Sequence, residues 1–196
     1  MREVNMRSVE SDLVDDLFPS RWSPRSFDEE RIDDDAFTAL IEAARWAPSS
    51  RNMQPWRFVF AARDDPEWSG FLRVLNESNR EWAHRASHLI IVIASADDTV
   101  VRPGSAFDTG AAWMSLALQA QLSGFVTHPM GGFDKDAARS VAKIPEGFAP
   151  IAMVAVGVRG AIEDLPEHRQ ATEASRSQRK PIEEIASNGS FPERWT

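Results

Sequence analysis

One segment, Ser105 to Ser123, limits the possible folds more than any other. Its apolar positions are Phe107, Ala111, Ala112, Trp113, Met114, Leu116, Ala117, Leu118, Ala120 and Leu122. They fall on nearly every face of a helix, and a helix that is apolar all round has to be buried all round. Gly124 then ends it in the usual C-terminal manner. A domain of 196 residues can enclose one such helix, but a subunit interface encloses it more easily. The helix therefore predicts an obligate homodimer.

The surrounding pattern alternates helices and strands. Val9 to Phe18 puts Leu13, Val14 and Leu17 on one face of a short amphipathic helix, and an irregular stretch runs from Pro19 to Arg31. Asp33, Asp34 and Asp35 open the next helix, where carboxylates favour the positive end of the dipole. Phe37, Leu40, Ile41 and Ala44 continue it at helical spacing until Pro48. Trp56 to Ala61 alternates as a strand does, with Trp56, Phe58 and Phe60 on one side. Pro66 starts a helix carrying Trp68, Phe71, Leu72 and Leu75. Leu89 to Ala94 and Ile151 to Val158 are short, continuous and β-branched, as strands buried on both faces are. The polar tail from Gly160 to Thr196 still carries Ile182, Ile185, Phe191 and Trp195. Disordered tails rarely do, so it is expected to dock, in a dimer on the partner subunit. Residues 1–196 read as a single domain, with 160–196 as its C-terminal extension.

Composition removes several functions. The formal charge of −8 argues against nucleic acid or an anionic membrane as partner, since both reward a basic surface. The chain has no cysteine, which excludes thiol catalysis, zinc knuckles and iron–sulfur clusters and accords with a reducing cytoplasm. Met1 to Asp16 lacks the apolar core of a signal peptide. Leu89 to Ala94, the longest purely apolar run, is too short to cross a bilayer, so a soluble, cytoplasmic protein is expected. There is no Gly-x-Gly-x-x-Gly, no P-loop and no Gly-x-Ser-x-Gly elbow. His84 and His88 lack the glutamate of a zinc-protease helix and read as ordinary helix and strand-edge residues. Asp28 to Asp35 lacks calcium-ligand spacing and reads as helix capping. His128 reads as a structural loop residue without a visible partner. With no acid–base–nucleophile set, catalysis would depend on a cofactor.

Three motifs suggest what binds. Arg21-Trp22-Ser23-Pro24-Arg25-Ser26-Phe27 offers two guanidiniums and two hydroxyls between helices, and arginine grips phosphate through parallel hydrogen bonds. If the segment is extended, Arg21, Ser23 and Arg25 point one way. Its plainer reading is surface ion pairing. Pro48-Ser49-Ser50-Arg51-Asn52-Met53-Gln54-Pro55-Trp56 joins a helix to a strand through hydroxyls and amides, which suit a flavin ring edge or ribityl chain as well as a plain connection. His128-Pro129-Met130-Gly131-Gly132-Phe133-Asp134 pairs two glycines that let backbone amides approach a ligand. It also reads as a turn with a glycine at positive φ and Asp134 as N-cap.

In this order the motifs resemble the nitroreductase family of flavin enzymes. The R-x-S-x-R-x-F start, P-S-S-x-N-x-Q-P-W, a long apolar helix ending in Leu122-Ser123-Gly124, and G-F-D all match. Arg179-Lys180-Pro181 with Glu184-Ile185, beside the basic Arg176, is similar to the family's terminal motif. The resemblance runs from about Val9 to Trp195. It implies an α+β fold: a mixed central sheet flanked by helices, in an intertwined homodimer that exchanges its C-terminal tails. It implies two FMN molecules in the interface, each touched by both chains, with NAD(P)H as co-substrate. Arg21, Ser23 and Arg179 would bind phosphate and ribityl oxygens, with Trp22 between them, and Arg25 would lie near flavin N1 and O2. Pro48, Ser49, Ser50 and Asn52 would come from the partner chain. Asn79 would meet the pyrimidine edge, and Pro129, Met130, Gly131 and Gly132 would pass the flavin with an amide near N5.

The implied reaction is ping-pong hydride transfer from NAD(P)H through flavin N5 to a small, aromatic acceptor, a nitro compound or quinone. The chain departs from the family at Gly131, where an acidic residue is frequent, and at Trp22, where a basic residue or histidine is frequent. Trp56 to Phe107 also lacks the extra helices that cover some members' sites. Other reactions of the fold stay open (dehalogenation, flavin fragmentation, azoline oxidation), as do a non-catalytic FMN-binding module and a non-flavin phosphometabolite-binding dimer.

Overall fold

The computed structural model describes residues 13–97, 100–175 and 178–192. Val9, Arg176 and Trp195 lie outside the described residues. The first helix is short: α1 is Leu17–Ser20. The Asp15 carboxylate accepts from Leu17 N at 2.9 Å, just ahead of the N-cap Asp16. Leu13 is 91% exposed and Val14 50%, so the expected apolar face is not buried within one chain. Helix α2 (Asp34–Arg45) begins where the acidic run predicts, with Asp33 Oδ1 accepting from Ala36 N at 2.8 Å.

Strands β1 (Phe27–Asp28), β2 (Trp56–Ala62), β3 (His88–Asp97), β4 (Val100–Val101), β5 (Val126–Met130) and β6 (Phe148–Arg159) form the sheet. β6 pairs β3 along one edge and β5 and β1 along the other, while β2 pairs the far side of β3. Every described pairing is antiparallel. This corrects the expected mixed sheet for the single chain, because no described part of the tail adds a strand that could run parallel to its neighbour. The fold is α+β, with helices on both faces.

That arrangement explains the continuous apolar strands. Leu89, Ile91, Ile93, Met153 and Ala155 face one core with α3 (Trp68–Val74), α4 (Glu77–Ala83) and α6 (Lys135–Val141). Their alternates Ile90, Val92, Val154 and Val156 face a second core with α2 and α5 (Pro103–Leu122). One side of α5 is buried, through Ser105, Asp108, Thr109, Ala112, Leu116, Ala117 and Ala120, most of them small residues that let it lie close to the sheet. On another face Phe107 is 80% and Leu122 67% exposed, with Ala111, Met114 and Leu118 half-buried between them. The single chain therefore leaves a continuous apolar stripe of α5 uncovered. Among the described residues no helix is long and apolar enough to cross a membrane.

His88 sits inside the second layer, its ring stacked on Phe37 with centroids 3.9 Å apart. Ser87 Oγ accepts from Ile32 N at 2.8 Å and lies 3.0 Å from His88 Nδ1. Burial, chiefly, pushes the imidazole pKa down to about 4. The neutral ring is what the fold accepts, so between the unfolded value and about pH 4 only the unfolded chain takes up the proton. This contribution is complete above the unfolded pKa of about 6.5 and is lost as pH falls. Denaturant unfolding at pH 7 and pH 5 should show about 2 kcal/mol of acid loss that His88→Gln lacks. Equal losses in both proteins would rule this out.

Candidate functional site

α1 ends at Arg21, whose backbone turns extended. The segment that follows is gripped from two sides. From β5, His128 Nδ1 lies 3.0 Å from Pro24 O. From α7 (Glu167–Ala174), Glu173 Oε1 accepts from Arg25 N at 2.8 Å, Ser26 N at 3.2 Å and Ser26 Oγ at 3.1 Å. His128 is thus a strand residue with a partner, not the partnerless loop residue expected. Burial lowers its pKa and favours the neutral ring that donates to Pro24.

Arg21 is half-buried, and among the described residues its Nη1 has no hydrogen-bond partner. Burial first, and the Arg179 charge second, hold its pKa below the ordinary guanidinium value. The field of a second cation thus acts on a donor that no described residue receives. Such an arrangement costs free energy until an anion enters. Ser23 is half-buried between Arg21 and Arg25, and the Arg25 side chain keeps 31% exposure with Nη1 4.0 Å from Glu173 Oε2. Trp22 lies under Arg159, whose guanidinium carbon is 5.1 Å from the ring centre. A phosphate fits this donor set.

The end of β5 forms a second wall. Asn79 Nδ2 donates to Gly132 O at 3.1 Å, and Asn76 N donates to the same oxygen at 3.1 Å. The Asn76 side chain caps α4 by accepting from Asn79 N at 2.9 Å. A Cβ on Gly132 would strike the amides of both asparagines, so close approach is what demands glycine here. Gly131 and Gly132 do not adopt the positive φ expected of the turn, because β5 continues through Pro129 and Met130. Asp134 caps α6 as expected, accepting from Asp136 N and Ala137 N at 2.9 Å. Since β5 carries both His128 and Met130, this wall and the arginine cluster share one support.

The Pro48 to Trp56 connection stands apart from both. Arg51, Asn52 and Gln54 all have left-handed backbone, at φ of 51°, 55° and 45°, a conformation that costs non-glycine residues about 1 kcal/mol or more. Gln54 N donates to Ser49 Oγ at 2.9 Å and Gln54 Nε2 to Asn52 Oδ1 at 3.1 Å. Ser50 N donates to Asp108 Oδ2 on α5 at 3.0 Å. Pro48, Ser50 and Asn52 are exposed and Ser49 half-buried. Ser20, the residue before Arg21, instead meets the other end of α5, where Gln121 Nε2 lies 3.4 Å from Ser20 Oγ. Asp108 and Gln121 are separated by about 20 Å along the helix. Within one chain the two groups of predicted site residues do not meet.

Known proteins share this fold. The nitroreductase family model matches residues 19–158. The chain belongs to the nitroreductase family. A crystal structure described as an oxidoreductase containing FMN is similar at 41% identity and a TM-score of 0.87, covering 98% of this chain and 99% of its own. The Bacillus subtilis (strain 168) protein YdgI, whose name contains the words NAD(P)H nitroreductase, is 26% identical over 87% of this chain and 95% of its length. A Thermus thermophilus protein named NADH dehydrogenase is 29% identical over 76% and 87%. As a nitroreductase-family member the chain is an enzyme of the oxidoreductase class.

Within this nitroreductase-family site, sequence reasoning missed Glu173, Asp108 and the His128 contact. Asp108 had a signal, being the one charged residue in α5. Glu173 had none, since acidic residues are ordinary in a polar tail. It is 1% exposed and lies beyond the residues that the family model matches.

Proposed function

We propose that the chain is an FMN-dependent oxidoreductase that works as a homodimer and carries electrons from NAD(P)H to a small, aromatic acceptor, a nitro compound or quinone. The observation that carries this reading is the buried Arg21 Nη1, which has no partner among the described residues and lies in the field of Arg179. Arg21, Ser23 and Arg179 would hold the FMN phosphate and ribityl oxygens, with Trp22 packed beside them. Arg25 would set a positive field where negative charge accumulates on reduction. Asn79 and the Pro129, Met130, Gly131 and Gly132 wall would line the ring. Pro48, Ser49, Ser50 and Asn52 would come from the second copy, for which the length of α5 and its uncovered stripe are the support. When bound, FMN supplies the redox chemistry, taking electrons from the nicotinamide and giving them to the acceptor in alternation. No side chain need act as acid or base; the chain binds, orients and supplies charge.

The similarity to an FMN-containing oxidoreductase at 41% identity and the names of the relatives support the cofactor and the co-substrate. The working unit is residues 1–196 as one domain, its 160–196 extension packed on the second copy. The absence of cysteine supports a cytoplasmic setting.

The test is anaerobic titration of the purified protein, loaded with FMN, with NADH and NADPH, followed by reoxidation with nitroaromatics, quinones and halogenated phenols. Bleaching by either nucleotide and recovery with a nitroaromatic or quinone is expected. A colourless protein that gains no flavin absorbance with added FMN would overturn the reading. Arg25→Ala should lower the midpoint potential of bound FMN; an unchanged potential and affinity would remove Arg25 from its role.

A further inference from the structure

Two consecutive backbone amides and a hydroxyl converge on one buried oxygen. Arg25 N, Ser26 N and Ser26 Oγ all donate to Glu173 Oε1, from a residue 147 or 148 positions away. The other oxygen lies 4.0 Å from the Arg25 guanidinium. The carboxylate is therefore both the mould for the Arg25–Ser26 backbone and a negative charge beside a cation. The neighbouring charges of the cluster, Arg21 and Arg179, are positive. His128 Nδ1 meets Pro24 O while Glu173 holds the next two amides, so the strand and the helix clasp consecutive residues of this segment.

Helix α7 is fixed so that this contact is held. One turn before Glu173 on the same face, Arg169 Nε donates to Glu81 Oε2 at 2.9 Å, and its Nη2 reaches Ser78 O at 3.0 Å and Ser78 Oγ at 2.8 Å. These bonds tie α7 to α4, whose Asn79 holds Gly132. Gln170 Nε2 adds a bond to Leu165 O at 2.9 Å. A single short helix thus links the Asn79–Gly132 wall to the arginine segment.

We propose that Glu173 is a positioning residue of the Arg25 site: it fixes the main chain that presents Arg25 and, as a counter-charge behind the guanidinium, sets how much positive field the cofactor experiences. The charge part rests on the flavin reading above. Removing the carboxylate's charge leaves more of the Arg25 field uncompensated, which favours added negative charge at the site. The midpoint potential of bound FMN then rises.

Two measurements test this. In the FMN-loaded protein, Glu173→Gln keeps an oxygen for the amides and removes the charge, so the potential should rise while the FMN dissociation constant changes by less than about threefold. In the flavin-free protein, Glu173→Ala should speed hydrogen exchange at the Arg25 and Ser26 amides by roughly ten- to hundredfold, with Glu173→Gln near wild type. An unchanged potential in Glu173→Gln overturns the charge part. Unchanged exchange in Glu173→Ala overturns the positioning part. If Glu173→Ala does not fold, Glu173→Asp, one methylene shorter, takes its place in the exchange measurement. A wild-type chain that binds no FMN overturns the flavin reading and the charge part together, while the exchange result still decides the positioning part.

Discussion

Arg21→Met is expected to weaken FMN binding by about a hundredfold and, in the flavin-free protein, to raise the thermal midpoint. The two effects have one cause. Arg21 Nη1 is a buried donor without a partner, and Arg179 adds like charge to it. An unsatisfied buried donor costs about 1–3 kcal/mol. Arg21 is only half-buried, so solvent screening reduces this to about 1 kcal/mol, or roughly 2–4 °C for a chain of this size. Methionine keeps the apolar stem and removes the charge. A phosphate turns the same liability into a charge-assisted hydrogen bond, and losing one side of such a pair costs about 2–5 kcal/mol. Flavin titration and calorimetry of the flavin-free protein would check both signs. A lower midpoint with unchanged FMN affinity would mean that Arg21 serves the fold and not the site.

Phe107→Glu should yield a folded monomer that holds no flavin. Phe107 is 80% exposed in the single chain, so its loss leaves both cores intact. It belongs to the uncovered stripe with Ala111, Met114, Leu118 and Leu122, and in a two-fold dimer each substitution acts twice. Losing the burial of two phenylalanines costs about 3–6 kcal/mol before any charge is buried, which weakens association by roughly a hundredfold or more. Because the Ser50 loop and the arginine cluster sit at opposite ends of α5, flavin should be lost with the partner. Light scattering and flavin content of the same sample decide it. A monomer with normal FMN affinity would show that one chain holds the whole site.

Several features of the fold were legible because their causes are local. Asp33 marks the start of α2 through a side chain that bonds three residues ahead. The β-branched runs mark β3 and β6, and helices cover both of their faces. The R-x-S-x-R motif supplied guanidiniums and hydroxyls that are legible from residue type alone. Other expectations failed where packing decided. His128 looked partnerless because Pro24 is 104 positions away. Glu173 looked ordinary because its partners are 147 and 148 positions away. The glycine pair suggested left-handed turns, yet Gly132 is needed for the approach of two asparagines from another helix.

What the sequence determined by itself was therefore the local chemistry: where helices start, which strands are buried, which motifs carry guanidiniums and hydroxyls, and through them the family. Tertiary structure alone decided which face of α5 is covered, that the Ser50 loop hangs from Asp108 while Ser20, next to Arg21, meets Gln121 about 20 Å along the same helix, and that Arg21 is half-buried within the field of a like charge. The division is physical. Capping and periodicity act over a few residues and leave a pattern in the chain, whereas burial and electric field at a site are sums over groups that only folding brings together.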